Sequence, residues 1–172
     1  MRFKGKVKIG RINDASDRLI FRYVSSSSLA EMVVKLLEHS NNFMTNQLLI
    51  ATGAKIIGPP GTLAKGVTIA SDYAREMLDI DNIAIVEGSG ISRDNQISAV
   101  EMSQVLREFL PYHYLMRRQG REYYKTGTLY GVSTRAGYIK RTDGKFYRYV
   151  IMFNTPGKST NTLILRLLRI LD

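Results

Sequence analysis

The chain has 172 residues, of which 44% are hydrophobic and 23% are charged, with a net charge of +10 at pH 7 and no cysteine. This length suits one globular domain with its own core, so we expect residues 1–172 to form a single domain. The absence of cysteine excludes disulfides and thiolate metal sites. No apolar run reaches the roughly 18 residues of a membrane span. The basic start, residues 1–6, lacks the apolar stretch of a secretory signal.

The positive charge is spread along the sequence rather than gathered into one cluster. No signature of a nucleic-acid-binding fold accompanies it, and no aromatic run is typical of a base-stacking surface. We therefore expect no nucleic-acid partner. The charge is better interpreted as a solvated basic surface, of a kind that suits the polyanionic polymers of a cell envelope.

The N-terminal part predicts two short strands and then a helix. Residues 6–9 and 19–24 have the composition of strands around a polar turn. Ser28 and Glu31 then have the spacing of a capping box, ahead of apolar residues at helical intervals. This pattern predicts a first helix that ends near Ser40.

The middle of the chain predicts further helices. Residues 43–51 predict a second helix that stops at Gly53. A third helix, capped by Thr62, is expected after a loop with two prolines. A short apolar strand is predicted at residues 83–86, and a second capping box opens a fourth helix at Ser98.

The last third predicts an antiparallel meander and a terminal helix. Residues 122–130, 132–140 and 146–154 read as three strands, joined by tight turns that contain glycine. Residues 160–171 then predict a helix rich in leucine. Helices followed by a meander indicate an α+β fold, and we expect the first of these strands to lie at an edge of the sheet.

Two short motifs carry the candidate chemistry. Lys125, Thr126, Gly127 and Thr128 form a Lys-Thr-Gly-Thr run on a predicted strand. A strand there would project the lysine from one face, offer threonine hydroxyls to a carboxylate, and let a ligand approach the glycine closely. Taken alone, the run is more typical of an ordinary strand with a solvent-facing lysine.

The second motif is Ser40-Asn41-Asn42, at the predicted end of the first helix. Small polar residues at this position often serve only as helix caps. The functional interpretation places the side chains of Ser40 and Asn42 in a cleft, where the serine relays a proton and the asparagine orients a substrate amide.

With their flanks, these residues resemble the S13 family of D-alanyl-D-alanine carboxypeptidases, the low-molecular-mass class C penicillin-binding proteins. Residues 36–49 are similar to the Ser-x-Asn segment of that family. Residues 87–95, Glu-Gly-Ser-Gly-Ile-Ser-Arg-Asp-Asn, resemble its Asp-Gly-Ser-Gly-Leu-Ser-Arg loop, with Glu87 in place of the usual acid. Residues 125–138 are similar to its Lys-Thr-Gly motif and the strand that follows. The motifs occur in the family's order.

The resemblance implies a role for each motif residue. Ser40, Asn42 and Lys125 would be catalytic, with Lys125 helping Ser40 pass a proton to the leaving D-alanine. Thr126, Gly127 and Thr128 would bind the substrate, and the Thr128 backbone N–H would form half of an oxyanion hole. The implied substrate is the D-Ala-D-Ala end of a peptidoglycan stem peptide, and β-lactams would bind the complete enzyme. No cofactor and no metal are implied, and the place of action would be the periplasm or cell envelope.

One motif of the family is absent. No serine in the chain has a lysine three residues later, so the nucleophilic Ser-x-x-Lys is missing and this chain alone is predicted to be inactive. We expect a truncated β-lactamase/transpeptidase-like fold, the C-terminal part of a peptidase domain. Residues 1–24 would then be the tail of a missing inserted domain, and exposed apolar surface would favour self-association or pairing with the missing N-terminal half.

Two other interpretations stay open. The chain could be a non-catalytic module with a degenerate site that binds peptidoglycan or a partner. It could also be an unrelated basic binding protein that shares these short motifs by chance. The two histidines, His39 and His113, lie far apart without ligand spacing, so no metal site is expected from them.

Overall fold

The computed structural model describes residues 10–11, 13 and 15–171 of the chain. Helices occupy the first part of this region, and an antiparallel sheet and a last helix follow, so the predicted α+β class is confirmed. The strand predicted at residues 6–9 lies outside the described residues. The helices are α1 (Leu29–His39), α2 (Asn42–Ile57), α3 (Leu63–Leu78), α4 (Ala99–Phe109) and α5 (Asn161–Ile170), with a 3₁₀ helix at Leu110–Leu115. The strands are β1 (Arg117–Gln119), β2 (Glu122–Leu129), β3 (Val132–Lys140) and β4 (Phe146–Phe153).

The helix starts follow the predicted capping residues. Ser28 and Ser98 each form a complete capping box with the glutamate three residues later. The Thr62 hydroxyl accepts a hydrogen bond of 3.2 Å from the Lys65 backbone N–H at the start of α3. Each of these side chains satisfies a backbone donor that the first helical turn would otherwise leave unpaired.

The predicted stop of α2 at Gly53 is wrong, because α2 continues to Ile57. Gly53 instead lies at the crossing of α2 and α3. A Cβ atom on Gly53 would lie 2.5 Å from the backbone nitrogen of Gly66, and one on Gly66 would lie 2.4 Å from the carbonyl oxygen of Leu49. The two glycines therefore allow the helix backbones to approach closely, and the helical hydrogen bonds outweigh the low helix propensity of glycine.

We predict that the Gly66→Ala substitution destabilises the protein by about 1–3 kcal/mol, since the added methyl group forces α2 and α3 apart. Chemical denaturation followed by circular dichroism measures the loss. Gly10→Ala is the matched control, because nothing lies within 4 Å of a Cβ atom at that position. An equal and small effect of both substitutions would contradict this view of the helix crossing.

Two predicted strands do not form as expected, and one observed strand was not predicted. Residues 19–24 form no strand: they lie exposed, and no described strand pairs with them. Residues 83–86 contribute only one isolated bridge, between Ala84 and Gln96. The strand β1 was not predicted, since three polar residues carry no apolar alternation, and β1 forms by pairing with β2. Strand formation in this part of the chain therefore depends on a neighbouring strand to pair with, and not on apolar composition alone.

The four strands form one antiparallel sheet in the order β1-β2-β3-β4. The helix α5 packs on one face through a cluster that includes Tyr124, Ile139 and Ile164. The helix α4 and the 3₁₀ helix pack on the other face, around Tyr123 and Tyr138. Residues that alternate along β2 thus belong to two separate cores, and the three main strands agree with the predicted meander.

The edge of the sheet next to β2 is only partly covered. The strand β1 pairs with Glu122, Tyr123 and Tyr124 and goes no further. From Lys125 to Leu129, no described strand pairs with β2 on that side. The predicted edge position of the Lys125 strand is therefore correct for its motif half and wrong for its first three residues. A free strand edge can pair with an extended peptide backbone.

Candidate active site

The Ser-x-Asn motif forms a tight junction between two helices. Ser40 ends α1 in the left-handed conformation, with φ of 53°, and its backbone N–H donates to the Leu36 carbonyl at 2.8 Å. The Asn41 side chain caps α2 by accepting from the Met44 N–H at 2.9 Å. The cap of α2 is therefore Asn41, and Asn42 is the first helical residue. This arrangement leaves both Ser40 and Asn42 exposed at the junction of α1 and α2.

The structure brings Ser40 and Lys125 together, although 85 residues separate them in sequence. The Lys125 Nζ donates to the Ser40 Oγ, and it also donates to the Thr126 carbonyl oxygen at 2.7 Å. Partial burial lowers the pKa of Lys125 because it disfavours the charged ammonium. A lysine with a lowered pKa, in contact with a hydroxyl, can exchange a proton with that hydroxyl.

The remaining candidate residues follow Lys125 along the unpaired edge. Thr126, Gly127 and Thr128 are all exposed. Alternation along β2 places Lys125 and Gly127 on the α4 face of the sheet, and Thr126 and Thr128 on the α5 face. The side chains of Thr126 and Thr128 therefore leave the strand on the opposite face from the Lys125 side chain. A ligand that contacts all three groups would have to lie across the strand edge.

Gly127 has a structural reason as well as the predicted functional one. A Cβ atom at this position would lie 2.6 Å from the Thr134 Oγ1 on the neighbouring strand β3. The same hydroxyl donates weakly to the Gly127 carbonyl, at 3.4 Å. A side chain at this position would require the Thr134 hydroxyl to rotate away, so the packing of the sheet favours glycine here independently of any ligand.

Two cavities lie at the surface of the sheet. The smaller, of about 190 Å³, lies beyond the motif at the end of β2, and Thr128, Leu129 and Ser133 are among the residues that line it. The larger, of about 380 Å³, lies between α4 and β4, and none of the predicted site residues lines it. The candidate site is the Ser40–Lys125 contact, where residues of the two motifs meet.

The loop at residues 86–95 folds around one carboxylate. Glu87 accepts hydrogen bonds from the backbone N–H groups of Ser89 at 2.6 Å and Gly90 at 2.8 Å, and from the Asn95 side chain at 2.5 Å. Partial burial acts to raise the pKa of Glu87, but the hydrogen bonds from Ser89, Ser92 and Asn46 outweigh it and lower the pKa to about 2. The sequence identified this loop by resemblance but gave Glu87 no role.

We predict that the Glu87 carboxyl group titrates with a midpoint near 2, measured by the pH dependence of its ¹³C chemical shift. A depressed pKa means that the ionised form stabilises the fold. That contribution is present above the unfolded pKa of about 4.3 and is lost as the pH falls towards 2. A midpoint near 4 would show that the hydrogen bonds of the loop do not hold in solution.

Two kinds of feature are absent from the part of the chain that the structure describes. Among residues 10–11, 13 and 15–171, no group of three or more histidine and acidic side chains could hold a metal ion. The helices of the same region are all too short or too polar to cross a membrane.

The sequence profile of the D-Ala-D-Ala carboxypeptidase 3 (S13) family matches residues 1–113. This match covers more than half of the chain, and the protein belongs to that family. The matched range contains Ser40, Asn42 and the Glu87 loop, whereas Lys125 lies beyond it. The assignment of Lys125 to the candidate site therefore rests on its contact with Ser40 and not on the family match. No protein with a curated description matches the sequence.

Solved structures agree with this assignment at the level of the fold. Penicillin-binding protein 4 (dacB) from Haemophilus influenzae is similar, with a TM-score of 0.71 and 18% identity over 80% of this chain. Its complex with a novel β-lactam is also similar, with a TM-score of 0.64 and 20% identity over 81% of this chain. The Bd0816 predatory endopeptidase from Bdellovibrio bacteriovorus, in complex with the immunity protein Bd3460, has a TM-score of 0.61 and 17% identity over 83%. This chain spans less than half the length of each of these proteins. The covered share is 39% of the uncomplexed penicillin-binding protein 4, 40% of the same protein in the β-lactam complex, and 43% of the endopeptidase.

Proposed function

We propose that this chain carries the second and third motifs of a serine-type D-Ala-D-Ala peptidase that acts on peptidoglycan stem peptides. The observation that supports it is the contact of the Lys125 ammonium with the Ser40 hydroxyl, two groups from distant motifs that meet beside a free strand edge. Membership of the S13 family supplies the reaction class.

The proposed mechanism gives Lys125 and Ser40 the work of proton transfer. A nucleophilic serine outside these 172 residues gives its proton to the lysine of its own Ser-x-x-Lys motif and attacks the carbonyl carbon of the terminal peptide bond, whose C–N bond breaks as the acyl-enzyme forms. The departing D-alanine nitrogen takes a proton from the Ser40 hydroxyl, and Lys125 returns a proton to Ser40. The lowered pKa of Lys125 makes this return easier, because the ammonium of a desolvated lysine is the stronger acid.

The exposed strand edge serves to hold the substrate in the same proposal. The extended peptide lies along residues 125–129, where β2 has a free edge in the described structure. The positive Lys125 and the hydroxyls of Thr126 and Thr128 recognise the terminal carboxylate, while Asn42 orients the penultimate amide. β-Lactams would occupy the same edge in the complete enzyme, and the reaction takes place in the periplasm or cell envelope.

The gene region upstream of Met1 tests this proposal at the lowest cost. We expect it to encode an in-frame Ser-x-x-Lys motif that precedes residue 1. If no such motif occurs there or in a neighbouring gene, the second candidate function is favoured, in which the chain is a non-catalytic module that binds peptidoglycan or a partner through a degenerate site. The lack of Ser-x-x-Lys within the chain is the observation that favours this alternative.

Exposed apolar residues also support the proposal that the chain associates. In the segment 19–24, Ile20 is 92% exposed and Phe21 is 75% exposed. Such a segment is a typical interaction surface. We predict that the isolated chain self-associates, so that light scattering gives a mass above 19.5 kDa that rises with concentration. Ile20→Lys should reduce the association and Val100→Lys, at another exposed apolar side chain, should not; a monomer at all concentrations would contradict the prediction.

A further inference from the structure

The loop at residues 86–95 lies between the two elements that carry the candidate catalytic residues. Its first contact is with α2, the helix that begins at Asn42. The Asn46 side-chain amide donates to the Glu87 carboxylate at 3.4 Å and accepts from the Gly88 N–H at 2.8 Å. Gly88 also lies against α2, since a Cβ atom there would be 3.1 Å from the Thr45 carbonyl oxygen. The start of the loop is therefore held against the first turns of α2.

The second contact of the loop is with the end of the motif strand. The Arg93 Nη2 donates to the Tyr130 carbonyl oxygen at 2.6 Å. Tyr130 follows the last residue of β2 and precedes the turn at Gly131. The loop therefore connects the helix next to Ser40 with the strand that contains Lys125, independently of the contact between those two residues.

Regular secondary structure does little to hold the loop in this shape. In the described structure its ends are joined by one isolated bridge, Ala84–Gln96, and three of its backbone N–H groups, those of Ser89, Gly90 and Ser92, donate to the Glu87 carboxylate. The Ser92 N–H lies 3.3 Å from it, and the Ser89 hydroxyl adds a donor at 2.5 Å. A glutamine at position 87 would offer one acceptor oxygen and would turn an NH₂ group towards these donors. A carboxylate at position 87 therefore satisfies these donors better than a neutral amide would.

We propose that Glu87 is a positioning residue, whose carboxylate folds residues 86–95 into a bracket that fixes α2 against the end of β2 and so holds Ser40 in contact with Lys125. This inference rests on the proposed function for its catalytic meaning, because it assigns Glu87 no contact with substrate. The geometric part concerns this chain alone, and it is testable without any peptidase activity.

The test measures the protonation of the Lys125 amine in the full chain. The pH dependence of Lys125 acetylation by acetic anhydride, followed by mass spectrometry, gives the midpoint for that amine. In Glu87→Gln we expect the Ser40 contact to loosen, Lys125 to become more solvated, and the midpoint to rise. At a pH below both midpoints, an increase of about one pH unit in the midpoint lowers the fraction of reactive neutral amine about tenfold.

Three further variants make the result decisive. Glu87→Asp retains the negative charge and should keep the midpoint close to that of the unaltered chain. Arg93→Met cuts the bond to Tyr130 while it leaves the Glu87 bonds intact, so it should raise the midpoint and serves if Glu87→Gln fails to fold. Glu108→Gln, which removes an exposed carboxylate paired with Arg107, is the control and should change nothing.

One outcome overturns the inference: a folded Glu87→Gln or Arg93→Met variant whose Lys125 midpoint does not change. The same outcome would leave the proposed peptidase function intact, since that function depends on Ser40 and Lys125 themselves. Conversely, a missing Ser-x-x-Lys motif would remove the proposed function and leave the bracket as a measurable feature of the fold.

Discussion

Replacing Arg135 by methionine should lower the free energy of unfolding by about 3–5 kcal/mol, the usual cost of removing one partner from a buried ion pair. The Arg135 guanidinium donates to both oxygens of Glu122, at 2.7 Å and 2.6 Å. The two side chains are only 9% and 2% exposed. The substitution leaves the Glu122 carboxylate buried without its cation, and urea denaturation measures the result.

The network around this pair explains the size of the expected effect. Tyr149 also donates its hydroxyl hydrogen bond to Glu122. Burial raises the pKa of Tyr149 first of all, and the hydrogen bond to Glu122 raises it further, so the phenol remains a neutral donor. The Arg135 guanidinium lies 3.9 Å from the centre of the Tyr124 ring, which adds a cation–π contact. One substitution therefore disturbs β2, β3 and β4 together.

A matched control and a double substitution separate the possible causes. Arg107→Met removes an arginine from an exposed pair with Glu108, and it should cost no more than about 1 kcal/mol. Combining Arg135→Met with Glu122→Leu removes both charges, and it should recover much of the stability lost in the single variant. If Arg135→Met cost as little as Arg107→Met, the buried pair would not contribute as described.

The second large effect concerns Lys125 and follows from the proposed function, in a longer protein that would include a Ser-x-x-Lys segment. Lys125→Met should reduce the rate of acylation by a penicillin about 10²–10⁴-fold, the range for loss of a general acid–base group. The contact of Lys125 with Ser40 is the structural reason. Stopped-flow or gel-based measurement of the second-order rate constant with a fluorescent penicillin gives the effect.

Lys125→Arg distinguishes proton transfer from charge. Arginine keeps the positive charge but does not lose a proton at accessible pH. We expect it to bind the carboxylate and still acylate slowly, close to the rate of Lys125→Met. Full activity of Lys125→Arg would show that only the charge matters, and it would contradict the proton relay through Ser40.

Local signals in the sequence predicted much of the fold because they describe contacts between near neighbours. Capping boxes at Ser28 and Ser98 gave helix starts, and glycines at turns gave the hairpins of the meander. Gly53 was wrongly interpreted as a helix end, because the reason for a glycine there is the close approach of Gly66 on another helix. The strand β1 was missed for the same reason, since its pairing with β2 is a tertiary effect.

The candidate site was predictable only in part. Ser40 and Lys125 are 85 residues apart, so no spacing rule connects them, and the resemblance to a family did so instead. The free edge beside Lys125 depends on where β1 stops, and the face on which Thr126 lies depends on the strand register. Glu87 had no predicted role because its donors come from the fold of a loop without regular structure.

The central claim is that this chain supplies Ser40 and Lys125 to a peptidase site whose nucleophile lies outside it. Mass spectrometry after incubation with a fluorescent penicillin tests this most directly, on the 172-residue chain and on the same chain joined to the Ser-x-x-Lys segment that the proposal expects upstream. We predict no covalent adduct on the 172-residue chain, and one adduct on the serine of the added motif in the longer protein. A covalent adduct on the 172-residue chain, or none on the longer protein, would contradict the account.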